Sequence, residues 1–191
     1  MLCSPEFLYN DLNNSFIMKK LALLLVATLI TTTVFAQNWS VGARVGSGFQ
    51  AVGQYKYDGK NYLEARFGTS WNNVDHTIYY ADGTIDSSRV MADFSFLHNW
   101  HLLDMDWTPG TGNWFVDAGV GVNVGGRKYY AYVGVQGMAR MGFTFYDVPL
   151  TIAVDWSPVL GPGIVYVGKA NDALFNSPGI ANAGISVTYN F

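Results

Sequence analysis

Three histidines and a thin scatter of carboxylates are the groups in this chain whose chemistry goes beyond packing. His76 follows Asp75, and Ser87 and Ser88 lie further along. A serine nucleophile needs a base within hydrogen-bond reach and a carboxylate to orient that base. The residue types are present, but no nucleophile motif surrounds them. His98 and His101 stand three apart. On a strand that spacing points them to opposite faces, so they cannot clasp one metal. The run Gly119-Val120-Gly121-Val122-Asn123-Val124-Gly125 falls short of a dinucleotide-binding loop. It has one residue too many before its last glycine, and it sits inside a strand pattern. The chemistry-bearing residues thus yield no catalytic residue, no cofactor site and no metal site.

A second set of residues points to ion pairing instead. Arg44, Lys56, Arg66 and Arg140 are cations, and Glu64, Asp93, Asp117 and Asp155 are anions. Each falls on the polar face of a segment that alternates with period two, the sign of a strand with two unlike faces. The last segment is the clearest: Ile185, Val187, Tyr189 and Phe191 oppose Gly184, Ser186, Thr188 and Asn190. Leu150, Ile152, Val154 and Trp156 likewise oppose Thr151, Ala153, Asp155 and Ser157. The alternation predicts eight strands, at about 39–46, 50–57, 61–71, 90–101, 113–123, 129–145, 149–158 and 182–191. Gly46-Ser47-Gly48 reads either as a tight turn or as a glycine kink within one long strand. Asp58-Gly59-Lys60 and Tyr146-Asp147-Val148 read as short turns, and 72–89 and 159–181 as long loops. Segment 102–112 is a long link on the short-turn side. Asp82-Gly83 has the chemistry of a hairpin turn, which would make 72–89 a projecting ribbon.

Composition decides which face is outside. The 191 residues are 50% hydrophobic, 16% aromatic and only 13% charged, where an ordinary soluble domain has about 25% charged. A net charge of -3 excludes a basic nucleic-acid-binding surface, and the apolar content excludes a disordered chain. The polar face is mostly Gly, Ser, Thr and Asn, too little to wet an outer wall but suited to a narrow barrel interior. After residue 36 no apolar run reaches the roughly 18 residues of a membrane helix, so a membrane is crossed by strands or not at all. Trp39, Trp100 and Trp114 fall near one rim of the apolar face. Trp71, Tyr129 and Trp156 fall near the other. Two aromatic girdles suit two membrane interfaces. A soluble lipocalin-type barrel, apolar face inward around a ligand, is the alternative arrangement. With the apolar face outward, four cations and four anions meet inside and plug the lumen by pairing.

The first residues read as an address. Met18-Lys19-Lys20 precedes an uncharged run, Leu21 to Phe35, that ends Val34-Phe35-Ala36. This is the pattern of a cleavable secretory signal over 18–36, with an N-terminal anchor as its alternative. Residues 1–17 are then an over-called extension, with Met18 the true start. Residues 37–191 form the mature chain, which retains no cysteine once Cys3 is lost.

The signal, the eight strands and the terminal Val187-Thr188-Tyr189-Asn190-Phe191 together resemble the small bacterial outer-membrane β-barrel family of the OmpA/OmpX type, over about 39–191. Gly119–Arg127 and Pro149–Pro158 are similar to that family's up-strands. The resemblance implies an all-β fold: an eight-stranded antiparallel up-and-down transmembrane β-barrel in the outer membrane of a Gram-negative bacterium. It implies that Ile185, Val187, Tyr189 and Phe191 form the signal shown to the outer-membrane assembly machinery. It also implies lipid and lipopolysaccharide as neighbours, with Arg127 and Lys128 offering charge-assisted hydrogen bonds to lipopolysaccharide phosphates. The expected role is structural or interactive, through the extracellular loops and with an external partner that the residues do not name. The other readings are a small-solute or ion channel, a lipid-modifying enzyme, and the soluble lipocalin-like binder.

Overall fold

An alternating segment satisfies two environments at once only as a strand, and a set of such strands leaves no raw edge only by closing on itself. The chain does both. A computed structural model describes residues 38–71, 78–79, 85–86, 90–108, 110–127, 130–165 and 179–191. The signal-peptide reading, the Met18 start, His76 with Asp75, Ser87 and Ser88, Asp82-Gly83, and Lys128 and Tyr129 lie outside the described residues.

Eight strands make a closed antiparallel barrel: β1 (Trp39–Gly46), β2 (Gly48–Lys56), β3 (Asn61–Trp71), β6 (Val90–Met105), β7 (Gly112–Arg127), β8 (Tyr130–Phe145), β9 (Leu150–Trp156) and β12 (Ala183–Asn190). Each pairs with its neighbour in the chain. β12 then closes the ring on β1, with Ser40 opposite Asn190 and Gly46 opposite Gly184. Two short strands, β4 (Ile78–Tyr79) and β5 (Ile85–Asp86), pair with each other as a separate ribbon. Gly46-Ser47-Gly48 is a turn between two strands, since Val45 pairs with Phe49.

Two expected boundaries are corrected. The link 102–112 is shorter than expected: β6 runs on to Met105 and β7 starts at Gly112, leaving 106–111 between the strands. A register shift between His101 and Leu103 breaks the alternation there while pairing continues, which hides the strand from a period-two reading. The expected loop 159–181 also begins as strand. β10 (Val159–Leu160) and β11 (Gly163–Val165) continue from β9 along the upper half of β8. Pro158 and Pro162 interrupt the run but leave their carbonyls in the ladder, accepting from the Gly137 and Val133 amides.

Polarity is inverted across the wall. Phe67 is 66% exposed and Val135 59%, both pointing outward. Val120, Ile152 and Val154 share that outer face. Arg44, Asp117 and Arg140 are buried inside, and Glu64 and Arg66 have no exposure at all.

Candidate functional site: the charged lumen and its open end

Period-two spacing sets Tyr62, Glu64 and Arg66 of β3 on the inner face, one above another. The strands facing them supply the partners. Arg140 of β8 donates from Nη1 to Glu64 Oε2 at 2.7 Å and from Nη2 to Oε1 at 2.9 Å. Arg66 Nε donates to the same carboxylate, and so does Gln54 Nε2, at 2.7 Å. Arg66 also reaches Ser157 Oγ at 3.1 Å and Asp155 at 3.4 Å. Arg44 of β1 grips Asp155 with Nε and Nη2 at 2.9–3.0 Å. Its Nη1 donates to Gln50, at 3.2 Å. Gln50 Nε2 in turn donates to Asp93 at 2.7 Å, and Asn123 donates to Asp93 and to Ser95.

The contacts form one continuous network. Three guanidiniums meet Glu64 and Asp155 directly, while amides hold Asp93. Burial of these ions is tolerable because the arginines, Glu64 and Asp155 are both paired and hydrogen-bonded, and Asp93 accepts from two amide side chains. Every barrel strand lends at least one side chain to the lumen, and the network ties the walls together across the interior.

Toward the end where β1 begins and β12 finishes, the network opens on a cavity of about 460 Å³. Tyr62 is its inner threshold: the hydroxyl accepts from Arg140 Nη1 at 3.0 Å and donates to Asp117 Oδ2 at 2.7 Å. His101 bridges two carboxylates there, with Nδ1 at 2.8 Å from Asp117 and Nε2 at 3.0 Å from Asp104. Lys56 stands at the rim of the network, within electrostatic reach of Asp117. It shares the inward parity, but as the last residue of β2 it stands exposed at the open end. No carboxylate among the described residues forms an ion pair with it.

The opposite end is filled differently. Met91, Tyr130, Tyr132 and Val159 form a buried apolar cluster inside the lumen. Gly125 and Gly163 make room for it, since a Cβ at either would come within 2.7 Å of a tyrosine ring atom.

Outside, aromatic rings gather around the open end. Trp39 packs on Tyr55 at 4.9 Å, Trp114 on Phe143 at 5.1 Å and Tyr189 on Phe191 at 5.0 Å between centroids. Trp100 meets His98 edge-on, and His98 hydrogen-bonds Tyr57 on the outer wall. At the other end Trp71 and Trp156 point outward, and Trp156 Nε1 donates to the Ile180 carbonyl. Ile185, Val187, Tyr189 and Phe191 all lie on the outer face. Arg127 ends β7 near the filled end.

His98 and His101 face opposite sides of β6. The sequence reading did not assign His101 a partner, and it left Tyr62 and the apolar cluster unremarked. Parity was the available signal, because His101 shares it with Asp93 and Asn99, and Tyr62 shares it with Glu64. No protein family, no curated protein and no solved structure matches this chain.

Proposed function

We propose that this protein is an integral outer-membrane β-barrel of a Gram-negative cell, with a plugged lumen and a structural or interaction role exerted through its outer loops. The observation that carries the reading is the inverted wall. Large apolar side chains cover the outside while arginines and carboxylates are buried within. A water-soluble monomer rarely exposes apolar patches beyond a few hundred Å². Strands β1, β2, β3 and β12 run eight to eleven residues, comparable with the roughly 9–11 that cross a bilayer when tilted. The ring pairs near one end and Trp71 and Trp156 near the other fit two interfacial girdles.

On this reading lipid surrounds the wall and lipopolysaccharide surrounds the loops at the filled end, with Arg127 and Lys128 near its phosphates. The face Ile185, Val187, Tyr189, Phe191 is what the assembly machinery meets. The ion-pair layer across the lumen speaks against a channel. Fractionation of cells followed by detergent extraction tests the proposal. The protein is expected in the membrane pellet, released only by detergent. Recovery in the soluble periplasmic fraction overturns it in favour of a lipocalin-like binder.

A further inference from the structure

The cavity at the open end has a division of labour in its walls. Its carboxylates are already engaged. Asp117 is held by Tyr62 and His101, and Asp104 by His101 and Asn113. Its lysines are not. Lys56 and Lys60 both line the cavity, and neither has an ion pair with any described residue. Lys56 has Asp117 within electrostatic reach, but the two ammonium groups are the cations of the mouth without a direct ion-pair partner among the described residues.

The opposite wall, from β8, β9 and β12, is of another kind. Thr144, Thr151, Ser186 and Thr188 line it with hydroxyls and Asn190 adds an amide; Thr144 and Thr151 hydrogen-bond each other at 2.9 Å, Asn190 Nδ2 donates to Thr151 Oγ1 at 2.9 Å, and Ser186 Oγ donates to the Ala153 carbonyl at 3.5 Å. Ser186 and Thr188 are buried. Phe115 and Tyr146 supply aromatic surface between the sectors. One buried donor at the inner end, Arg140 Nε, has no hydrogen-bond partner among the described residues. A volume of about 460 Å³ falls within the range of small-ligand sites, and such sites combine a shaped cavity with a few convergent polar groups.

We propose that this mouth binds an anionic saccharide: a ring with several hydroxyls and one carboxylate or phosphate. The ammonium groups of Lys56 and Lys60 take the anion by charge-assisted hydrogen bonds. The hydroxyl wall exchanges hydrogen bonds with the ring hydroxyls, acting as both donor and acceptor. Lysine, a compact point charge, accepts either anion, so the two sources share one chemistry. The inference concerns the lumen alone, and holds whether the wall outside faces lipid or water.

Calorimetric titration of the purified full chain in detergent tests it, with glucuronate, glucose 6-phosphate, glucose, acetate and inorganic phosphate as probes. Glucuronate or glucose 6-phosphate is expected to bind, and the tighter of the two names the anion. Added salt weakens the binding. Lys56→Gln with Lys60→Gln, both at the solvent-facing end, is expected to weaken it about fivefold or more. Thr188→Val is expected to lower affinity for the sugar acids, with circular dichroism showing the barrel intact. Absence of binding by both acidic sugars overturns the proposal. So does equal binding of glucose, which removes the role of charge, or of acetate and phosphate, which removes the role of the ring. Binding unchanged in the double lysine variant overturns it too.

Discussion

Arg44 and Asp155 lie 111 residues apart in sequence and meet in a two-pronged ion pair in the lumen, with Nε and Nη2 of the guanidinium 2.9–3.0 Å from the carboxylate. The pair ties β1 to β9 across β12, which lies between them in the wall. Asp155 also takes a contact from Arg66 at 3.4 Å. Its removal therefore strands Arg44 and takes a second partner from Arg66, which keeps Glu64. Asp155→Ala is expected to cost on the order of 3–5 kcal/mol, the range for breaking a buried pair from one side. Replacing both partners, Arg44→Met with Asp155→Leu, is expected to cost less than Asp155→Ala alone. Urea unfolding of the chain refolded in detergent or lipid reads both.

Gly184 exists for Arg44. A Cβ built there stands 2.7 Å from Arg44 Cζ and 2.9 Å from Nε and Nη2, so the guanidinium lies flat over the glycine. Gly184→Val is expected to destabilise by about 1–3 kcal/mol, as overpacking does. Combining it with Arg44→Ala is expected to recover part of that loss, because the clash and the lost pairing are one event. Strict additivity in a double-mutant cycle refutes this account of the glycine.

The turn between β2 and β3 carries a pH signature. Asp58 accepts from the backbone amides of Asn61 and Lys60 and from the Asn61 side chain, and Gly59 turns the chain with φ of 76°. The hydrogen bond from the Asn61 amide, above all, holds the Asp58 carboxyl below the usual aspartate range. A depressed folded-state pKa gives stability that is present above the unfolded value and lost as pH falls through the folded one. Asp58→Asn is therefore expected to be less stable than wild type at neutral pH, with the gap closing in acid. Unfolding midpoints of the two proteins across that range check it. A gap that persists below the folded-state pKa contradicts it.

The barrel was legible because period two assigns every wall residue a side, and a slip of one residue would have put arginines outside and valines within. The same rule failed where the ladder carries an irregularity. At His101–Leu103 the bulge shifts the phase, so Leu102 to Met105 lost their strand signature. At Pro158 and Pro162 the residue type argued for loop, though the proline carbonyls still accept in the ladder. The site was half legible. Parity brought the arginines and carboxylates inside, but height along the barrel is not written in parity. Lys56 thus shared a face with Gln54 yet landed at the open rim. Tyr130 and Tyr132 share the inward parity of Arg140, and only the fold shows that they meet Met91 and Val159 in one buried cluster.

Two layers of different chemistry lie in series along the lumen, and if both seal it the conductance prediction is sharper than for a single plug. The charged layer centres on Glu64 and Arg140. The apolar layer is Met91, Tyr130, Tyr132 and Val159. Opening one leaves the other closed. In planar bilayers the wild type is expected to show no stable large conductance. Glu64→Ala with Arg140→Ala is expected to remain closed as well, and so is Tyr132→Ala alone. The triple variant is expected to conduct. Conductance in the charged-layer variant alone removes the second seal from the account.

Val135 discriminates between a wall in lipid and a wall in water. It sits midway along β8, opposite Val122 on one side and Leu160 on the other, with its side chain outward and 59% exposed. In an apolar bilayer band, Val135→Arg costs about 2–4 kcal/mol, while the same charge at an interface costs about 0–1. Tyr146→Arg, in the open-end turn, is the matched control. Refolding into lipid vesicles is therefore expected to drop for Val135→Arg and to hold for Tyr146→Arg, with the urea midpoint following the same order. In a water-soluble barrel the ranking reverses its meaning: an exposed arginine at Val135 breaks up an apolar patch and raises detergent-free solubility. A gain in detergent-free solubility with no loss of vesicle insertion places the wall in water. A loss of insertion confined to mid-wall positions places it in lipid.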